Sequence, residues 1–189
     1  MASFKVAVIV GSIRRDSINK KLAEALVKLG APDVEFKIVP IDDLPLYNQD
    51  DEGNLAPSVA RFKAEIAAAD GVLFVTPEHS RSIPAALKNA IDWGARPWGK
   101  NSWSGKVAAV TGASPGAIST ALAQQHLRQI LGAQGVVLAG GEAYLQFKPG
   151  LIADDGTVTD EGTRGFLKNF VDQFAVLVAR FAGTSRAAA

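Results

Sequence analysis

The sequence of 189 residues contains no cysteine, only two histidines and one methionine. Without thiols there is no thiol nucleophile, no thiolate metal site and no disulfide, a composition that suits a reducing compartment. His79 and His126 alone cannot build a histidine-rich metal centre. Charge of one sign is also missing. The formal net charge is +1, and the absence of a basic block or acidic tail argues against nucleic acid or an anionic membrane surface as partner. No apolar run approaches the roughly 20 residues that span a bilayer. Met1-Ala2-Ser3-Phe4-Lys5 leads straight into a strand-like run, without an apolar leader and small-residue cleavage site. The expectation is a soluble cytoplasmic protein. Two phosphate-binding signatures are absent as well: neither G-x-x-x-x-G-K-[ST] nor G-x-G-x-x-G occurs, which disfavours a nucleoside triphosphate cradle and the usual dinucleotide turn.

What is present begins at Phe4–Val10, an almost purely apolar, β-branched run that reads as a parallel strand buried on both faces. Gly11 ends it. The loop Ser12-Ile13-Arg14-Arg15-Asp16 follows, and Ser17 precedes an amphipathic run (Ile18, Leu22, Ala25, Leu26, Leu29), which makes it an N-cap. Strand, polar loop and helix N-terminus in that order gather free backbone N–H groups and the positive end of the helix dipole at one point. Side chains rather than glycines line the loop, which suits a terminal phosphomonoester. The alternative is a helix capped by Ser17 beside solvated arginines.

The rest of the chain alternates. Strands are expected at Val34–Val39, Gly71–Thr76, Val107–Val110 and Val136–Leu138. Helices are expected at 57–69, 84–93, 118–131 and 160–181, with residues 139–159 irregular. This is an α/β chain with one flavodoxin-like, doubly wound, five-stranded parallel sheet of order 2-1-3-4-5. It is long enough for a single domain over residues 1–183, with 184–189 a frayed tail. Ligands in such sheets sit outside the carboxyl ends of the strands at the switch point between strands 1 and 3. The three unusual loops follow strands 1, 3 and 4, and all would meet there.

Those loops carry a resemblance. Gly11-Ser12-x-Arg14-x-x-Ser17-x-Asn19, Pro77-Glu78-x-x-x-Ser82-x-Pro84 and Leu87-Lys88-Asn89-Ala90-Ile91-Asp92-Trp93 resemble the NADPH-dependent FMN reductase family, in particular its chromate- and quinone-reducing members. Asp43-Leu44-Pro45-Leu46-Tyr47 and His126-Leu127-Arg128 fit the same pattern. The resemblance implies non-covalent FMN, NADPH or NADH as reductant, a small-molecule electron acceptor and a homodimer or homotetramer. By motif position Ser12, Arg14, Ser17, Ile18 and Asn19 would hold the FMN phosphate. Pro77, Glu78, His79, Ser80, Arg81 and Ser82 would run along the isoalloxazine, with Thr111, Gly112, Ala113, Ser114 and Gly116 closing the other side. The sequence departs from the family at His79 and Ser80, where a tyrosine and an asparagine are usual.

With the chemistry carried by FMN N5, no catalytic triad or carboxylate dyad is needed, and none is evident. The expected activity is a ping-pong hydride transfer from NAD(P)H to a quinone, chromate or similar acceptor. The alternative is an FMN-binding electron carrier or regulatory module without turnover of its own. Several residues read two ways. Glu78 is a loop carboxylate or part of the site, and His79 borders the flavin or is solvated. His126 is a helix-surface residue or subunit contact rather than a catalytic group. Trp93, Trp98 and Trp103 are core and interface anchors rather than a substrate box. Arg81 and Lys100 are substrate-binding candidates that would make the mouth cationic, and Arg81, Arg96 and Lys100 could equally be solvated surface charges.

Overall fold

In the computed structural model, which describes residues 4–187, strands and helices alternate along the chain. β1 (Phe4–Val10), α1 (Ile18–Leu29), β2 (Val34–Ile38), α2 (Pro57–Ala68), β3 (Gly71–Val75) and α3 (Ala85–Ala95) form the first half. β4 (Val107–Ser114), α4 (Ala121–Ala133), β5 (Val137–Leu138), β6 (Ala143–Gln146) and α5 (Glu161–Ala187) form the second. The pairing order is β2-β1-β3-β4-β5, parallel throughout, as the alternation of elements dictates.

The sheet has six strands rather than five. The stretch expected to be irregular contains β6, which pairs with Thr111–Ser114, while β5 pairs with Val107 and Ala108. β5 and β6 are two pieces of one position in the sheet, separated by a turn in which Gly141 takes a φ of +83°. A four-residue run such as β6 shows too little periodicity to stand out, whereas β5 falls within the strand expected at Val136–Leu138. β4 also continues to Ser114 instead of ending at Val110, because β6 supplies a partner for its second half. The final helix covers residues 184–187 of the expected tail; residues 188 and 189 lie outside the described residues.

Successive side chains of a strand point to opposite faces, and here both faces are buried. Val6, Val8 and Val10 of β1, with Leu73 and Val75 of β3, pack toward α1 and α5. Ala7 and Ile9, with Val72 and Phe74, pack toward α2, α3 and α4. Each such buried aliphatic or aromatic side chain contributes about 1.5–3 kcal/mol relative to exposure, so the alternation fixes the register.

Long cations close two helix ends that offer unpaired carbonyls. Lys63 Nζ donates to the carbonyls of Gly94 (3.0 Å), Arg96 (2.6 Å) and Lys100 (3.0 Å) at the end of α3. Its burial pushes the ammonium below the usual lysine range. Lys106 Nζ does the same at the end of α2, through Ala67 and Ala69. Trp103 fills the space under α3. It is fully buried, donates from Nε1 to Ile91 O at 2.9 Å and meets Phe62 edge-on. Trp93 is buried too, with Nε1 donating to Pro45 O at 2.8 Å, whereas Trp98 is 88% exposed.

Gly94 is where the backbone of α3 comes close to the Trp103 indole; a Cβ there would lie 2.4 Å from the ring. Alanine is favoured over glycine in a helix by about 0.8–1.0 kcal/mol, but overpacking costs about 1–3 kcal/mol. The indole is held by its hydrogen bond, so the steric cost should win. Gly94→Ala is expected to lower the urea midpoint with the slope unchanged. A neutral or stabilised variant would show that Trp103 can move.

Candidate functional site

The carboxyl ends of β1, β3 and β4 open into one cavity of about 520 Å³, within the range of small-molecule sites. The loop after β1 contributes Ser12, Arg14, Ser17, Ile18 and Asn19, and the loop after β3 contributes Pro77, Glu78 and His79. Ala113 and Ser114 come from the end of β4. A second cavity of about 540 Å³ shares Glu78 and Ser114 with the first and adds Ser80, Arg81 and Gly116. The three loops converge as their place in the topology requires.

At one end the cavity is polar. Ser17 is nearly buried and caps α1, its Oγ accepting from Lys20 N at 3.3 Å. The N–H groups of Ile18 and Asn19 stand in the first turn, where a helix has no internal acceptors. Asn19 has a job the sequence does not announce. Its Nδ2 donates to Ala113 O and its Oδ1 accepts from Ala113 N, both at 2.9 Å and buried. The side chain therefore pins the start of α1 to the end of β4, and its contribution to a ligand falls to its backbone. Gly11 lets the loops meet: a Cβ there would stand 3.0 Å from Thr76 Oγ1 and 3.1 Å from Leu87.

The loop after β3 is a two-residue hairpin. His79 and Ser82 exchange both backbone hydrogen bonds at 2.9 Å, and the residues between them, Ser80 (φ 49°) and Arg81 (φ 63°), are both left-handed. Non-glycine residues pay about 1–2 kcal/mol each for that conformation. Asparagine tolerates it better than serine, so Ser80 at the family's asparagine position holds more strain. Strain of this kind persists only where the surroundings enforce it, and Glu78 is the enforcing residue. Its side chain is 8% exposed. Oε2 accepts from the backbone N–H groups of Leu122 (3.0 Å) and Ala123 (3.1 Å), and Oε1 accepts from Arg81 Nη1 at 3.1 Å. Thr120, at the N-cap of α4, makes no capping bond with its own side chain. Glu78 replaces it from another loop, a carboxylate at the positive end of the helix.

Several expected site residues lie elsewhere. Thr111 and Gly112 are inside β4 and line neither cavity. The Thr111 hydroxyl is buried and donates to Ala143 O at 2.8 Å. A Cβ on Gly112 would strike Thr76 O at 2.0 Å, so that glycine serves packing between strands. Ser82 lines neither cavity and shares a 3.0 Å hydrogen bond with His126 Nδ1. Lys100 lies in the connection after α3, away from both cavities. Arg96 donates from Nε to Glu52 Oε1 at 2.6 Å, beside the Tyr47 hydroxyl. The hydrogen bond from Tyr47 holds the Glu52 carboxyl below its usual range. Sequence reasoning missed Pro84, Ala85 and Ala86, which line the first cavity at the N-terminus of α3. Small apolar residues there carry no chemical signature; only the proline before a helical run marks the place.

The donor set fits a flavin mononucleotide. Hydroxyls, a guanidinium and a helix N-terminus suit a phosphate, and Pro77, Pro84, Ala85, Ala86 and Ala113 add apolar lining that suits a tricycle. Among the described residues no group of three or more His, Cys, Asp or Glu could hold a metal ion. No helix among them is long and apolar enough to cross a membrane. The parallel order β2-β1-β3-β4-β5 with this cavity at its switch point is flavodoxin-like. Residues 4–150 match the family model for NADPH-dependent FMN reductase, and the chain belongs to that family.

It is 48% identical over 178 residues to a 2-hydroxy-1,4-benzoquinone reductase of a Burkholderia species, covering 93% of this chain and 97% of that protein. It is 48% identical over 174 residues to a quinone reductase of Pseudomonas putida, covering 91% and 93%. Among solved structures it is similar to FerB, a flavoenzyme NAD(P)H:(acceptor) oxidoreductase from Paracoccus denitrificans, with a TM-score of 0.91 and 48% identity over 94% of this chain and 98% of that one. The protein is an oxidoreductase whose cofactors are FMN and NAD(P)H.

Removing the Glu78 carboxylate leaves two N–H groups of α4 and Arg81 without their acceptor. Glu78→Ala is expected to destabilise the protein by about 1–2 kcal/mol, read by urea unfolding. Glu78→Gln keeps one oxygen acceptor and should recover part of the loss. Two variants of wild-type stability would mean that the α4 cap contributes nothing.

Proposed function

We propose that this protein reduces quinones with NAD(P)H in a ping-pong cycle, the two substrates taking turns at one face of the cofactor. The supporting observation is a cavity that combines hydroxyls, a guanidinium and the N-terminus of α1 with apolar lining, and that shares Glu78 and Ser114 with a second cavity of about 540 Å³. Bound there, FMN supplies hydride acceptance and donation at its N5. Ser12, Arg14 and Ser17, with the N–H groups of Ile18 and Asn19, hold its phosphate. Asn19 keeps the wall at Ala113 in place, and Pro77 to Arg81 with Ala113, Ser114 and Gly116 border the ring. The N-terminus of α3 at Ala85 and Ala86 directs its dipole into the cavity, where it favours negative charge. The chain then needs no nucleophile of its own.

Arg81 borders the second cavity and is the cation there to meet an acceptor, whereas Lys100 does not line it. The ion pair with Glu78 reduces the field that Arg81 presents, so neutral quinones suit this mouth better than oxyanions such as chromate. The exposure of Leu46 and Trp98, 84% and 88% on loops tied together through Tyr47, Glu52 and Arg96, supports a homo-oligomer, since interface cores are apolar and enriched in aromatic residues. The absence of cysteine suits a cytoplasmic setting.

The purified protein should be yellow, release FMN rather than FAD on denaturation, and oxidise NAD(P)H stoichiometrically with an added quinone. A flavin-loaded sample without turnover would favour the electron-carrier or regulatory reading. Arg14→Ala should weaken FMN by roughly tenfold or more, as expected for a lost charge-assisted hydrogen bond, and leave riboflavin affinity nearly unchanged. Equal losses for both flavins would remove Arg14 from the phosphate site.

A further inference from the structure

A groove of about 340 Å³ adjoins the cofactor cavity, with Ser12, Ile13 and Arg14 as the shared wall. It runs between the β1–α1 loop and the chain leaving β2. Val10, Val39 and Ile41, nearly buried, give it an apolar floor, Ile13, Ile38 and Pro40 add exposed apolar surface, and Arg14, Arg15 and Lys20 line it as well. Asp42 is the one acid that lines it. Among the described residues, none of the three cations makes an ion pair. Other surface cations are matched, for example Lys21 with Asp154, Lys28 with Asp155 and Lys37 with Glu65. Three unmatched cations around one groove are a local excess in a chain whose formal net charge is +1.

The excess is larger than the FMN phosphate needs. A phosphomonoester carries about −1.5 to −2 at neutral pH, and Arg14 with the N-terminus of α1 meets most of that. Arg15 and Lys20 remain, two charges facing a groove with an apolar floor. A second phosphomonoester attached to a flat apolar group satisfies both features. Of the molecules this reading already brings to the site, NADPH has that group: a 2′-phosphate on its adenosine ribose, which NADH lacks. Arginine near the ribose is the usual means of accepting the 2′-phosphate.

We propose that this groove is the binding site for the phosphorylated adenosine end of NADPH, with Arg15 and Lys20 holding the 2′-phosphate. They thereby set a preference for NADPH over NADH. The proposal rests on the oxidoreductase reading above and adds coenzyme specificity to it. Adenine lies on Ile13, Ile38 and Pro40, and the dinucleotide runs from the groove past Arg14 toward the flavin.

The test uses FMN-loaded full-length protein and the variant Arg15→Ala/Lys20→Ala. Calorimetry with adenosine 2′,5′-diphosphate and adenosine 5′-monophosphate needs no turnover. The wild type should bind the first roughly tenfold or more tightly than the second, and the variant should lose that difference. With saturating quinone, the variant's KM for NADPH should rise on the order of tenfold, with kcat and the KM for NADH nearly unchanged. FMN content and affinity should stay at wild-type levels. Equal affinity of the wild type for both nucleotides would overturn the proposal, as would equal KM changes for both coenzymes. Loss of FMN would overturn it too, by assigning the two cations to the cofactor's own phosphate. Release of FAD from the native protein would do the same, since its adenylate would fill the groove. Selective binding of the 2′-phosphate without oxidation of either coenzyme by quinone would support the groove and sink the quinone-reducing cycle.

Discussion

A parallel sheet covered by helices on both faces leaves its polar chemistry to its ends. Every residue from Val6 to Ile9 and from Val72 to Val75 is at most 2% exposed, so the middle of these central strands offers no side chain to solvent or ligand. Function is pushed to the carboxyl edge, where each strand hands over to the N-terminus of a helix. The strand order then places the ends of β1 and β3 side by side and reverses direction between them. A crevice forms there without any loop being shaped for it. Two helices, α1 and α3, begin at the crevice and aim their positive ends into it.

What turns that crevice into a defined site is a small set of buried polar contacts between loops. Asn19 ties the start of α1 to β4, and Glu78 ties the hairpin after β3 to α4. Ser119, itself left-handed at φ 52°, donates to Leu145 O at 2.8 Å and ties the β4–α4 connection to β6. Each contact joins segments that are far apart in sequence, and each is satisfied inside the protein. Such bonds add modest net stability, but leaving a partner unmatched costs more than the bond contributes. The loops are therefore held in one arrangement before any ligand arrives, which lowers the cost of binding.

The fold was legible from β-branched runs alternating with amphipathic ones, because burial on both faces writes an unbroken apolar strand. Phe4–Val10 and Gly71–Val75 could be found from that alone. β6 could not, since its four residues alternate between buried and half-exposed positions at an edge and owe their strand geometry to β4. The loops of the site were legible as polar segments at the right places in the topology. Roles within them were harder. Asn19 reads as a phosphate donor from its position near the helix start, yet its side chain is committed to the main chain of a residue 94 positions away. Thr111 reads as a loop hydroxyl only if β4 stops early. Pro84 to Ala86 carry no functional atoms in their side chains and work through backbone geometry, which composition does not record.

The two ends of the site differ in charge, and the difference follows from where the ion pairs fall. At the mouth, Arg81 is paired with Glu78, and the Glu78 charge is in turn shared with two amides of α4. The chain of contacts leaves a face close to neutral. On the β1 side, Arg14, Arg15 and Lys20 have no such partners among the described residues, and the dipole of α1 adds to them. Fields from exposed charges are screened over about 8–10 Å at ordinary salt, so the two ends act separately on what approaches. An anionic group is therefore attracted to the β1 side, while a neutral one meets little electrostatic opposition at the hairpin.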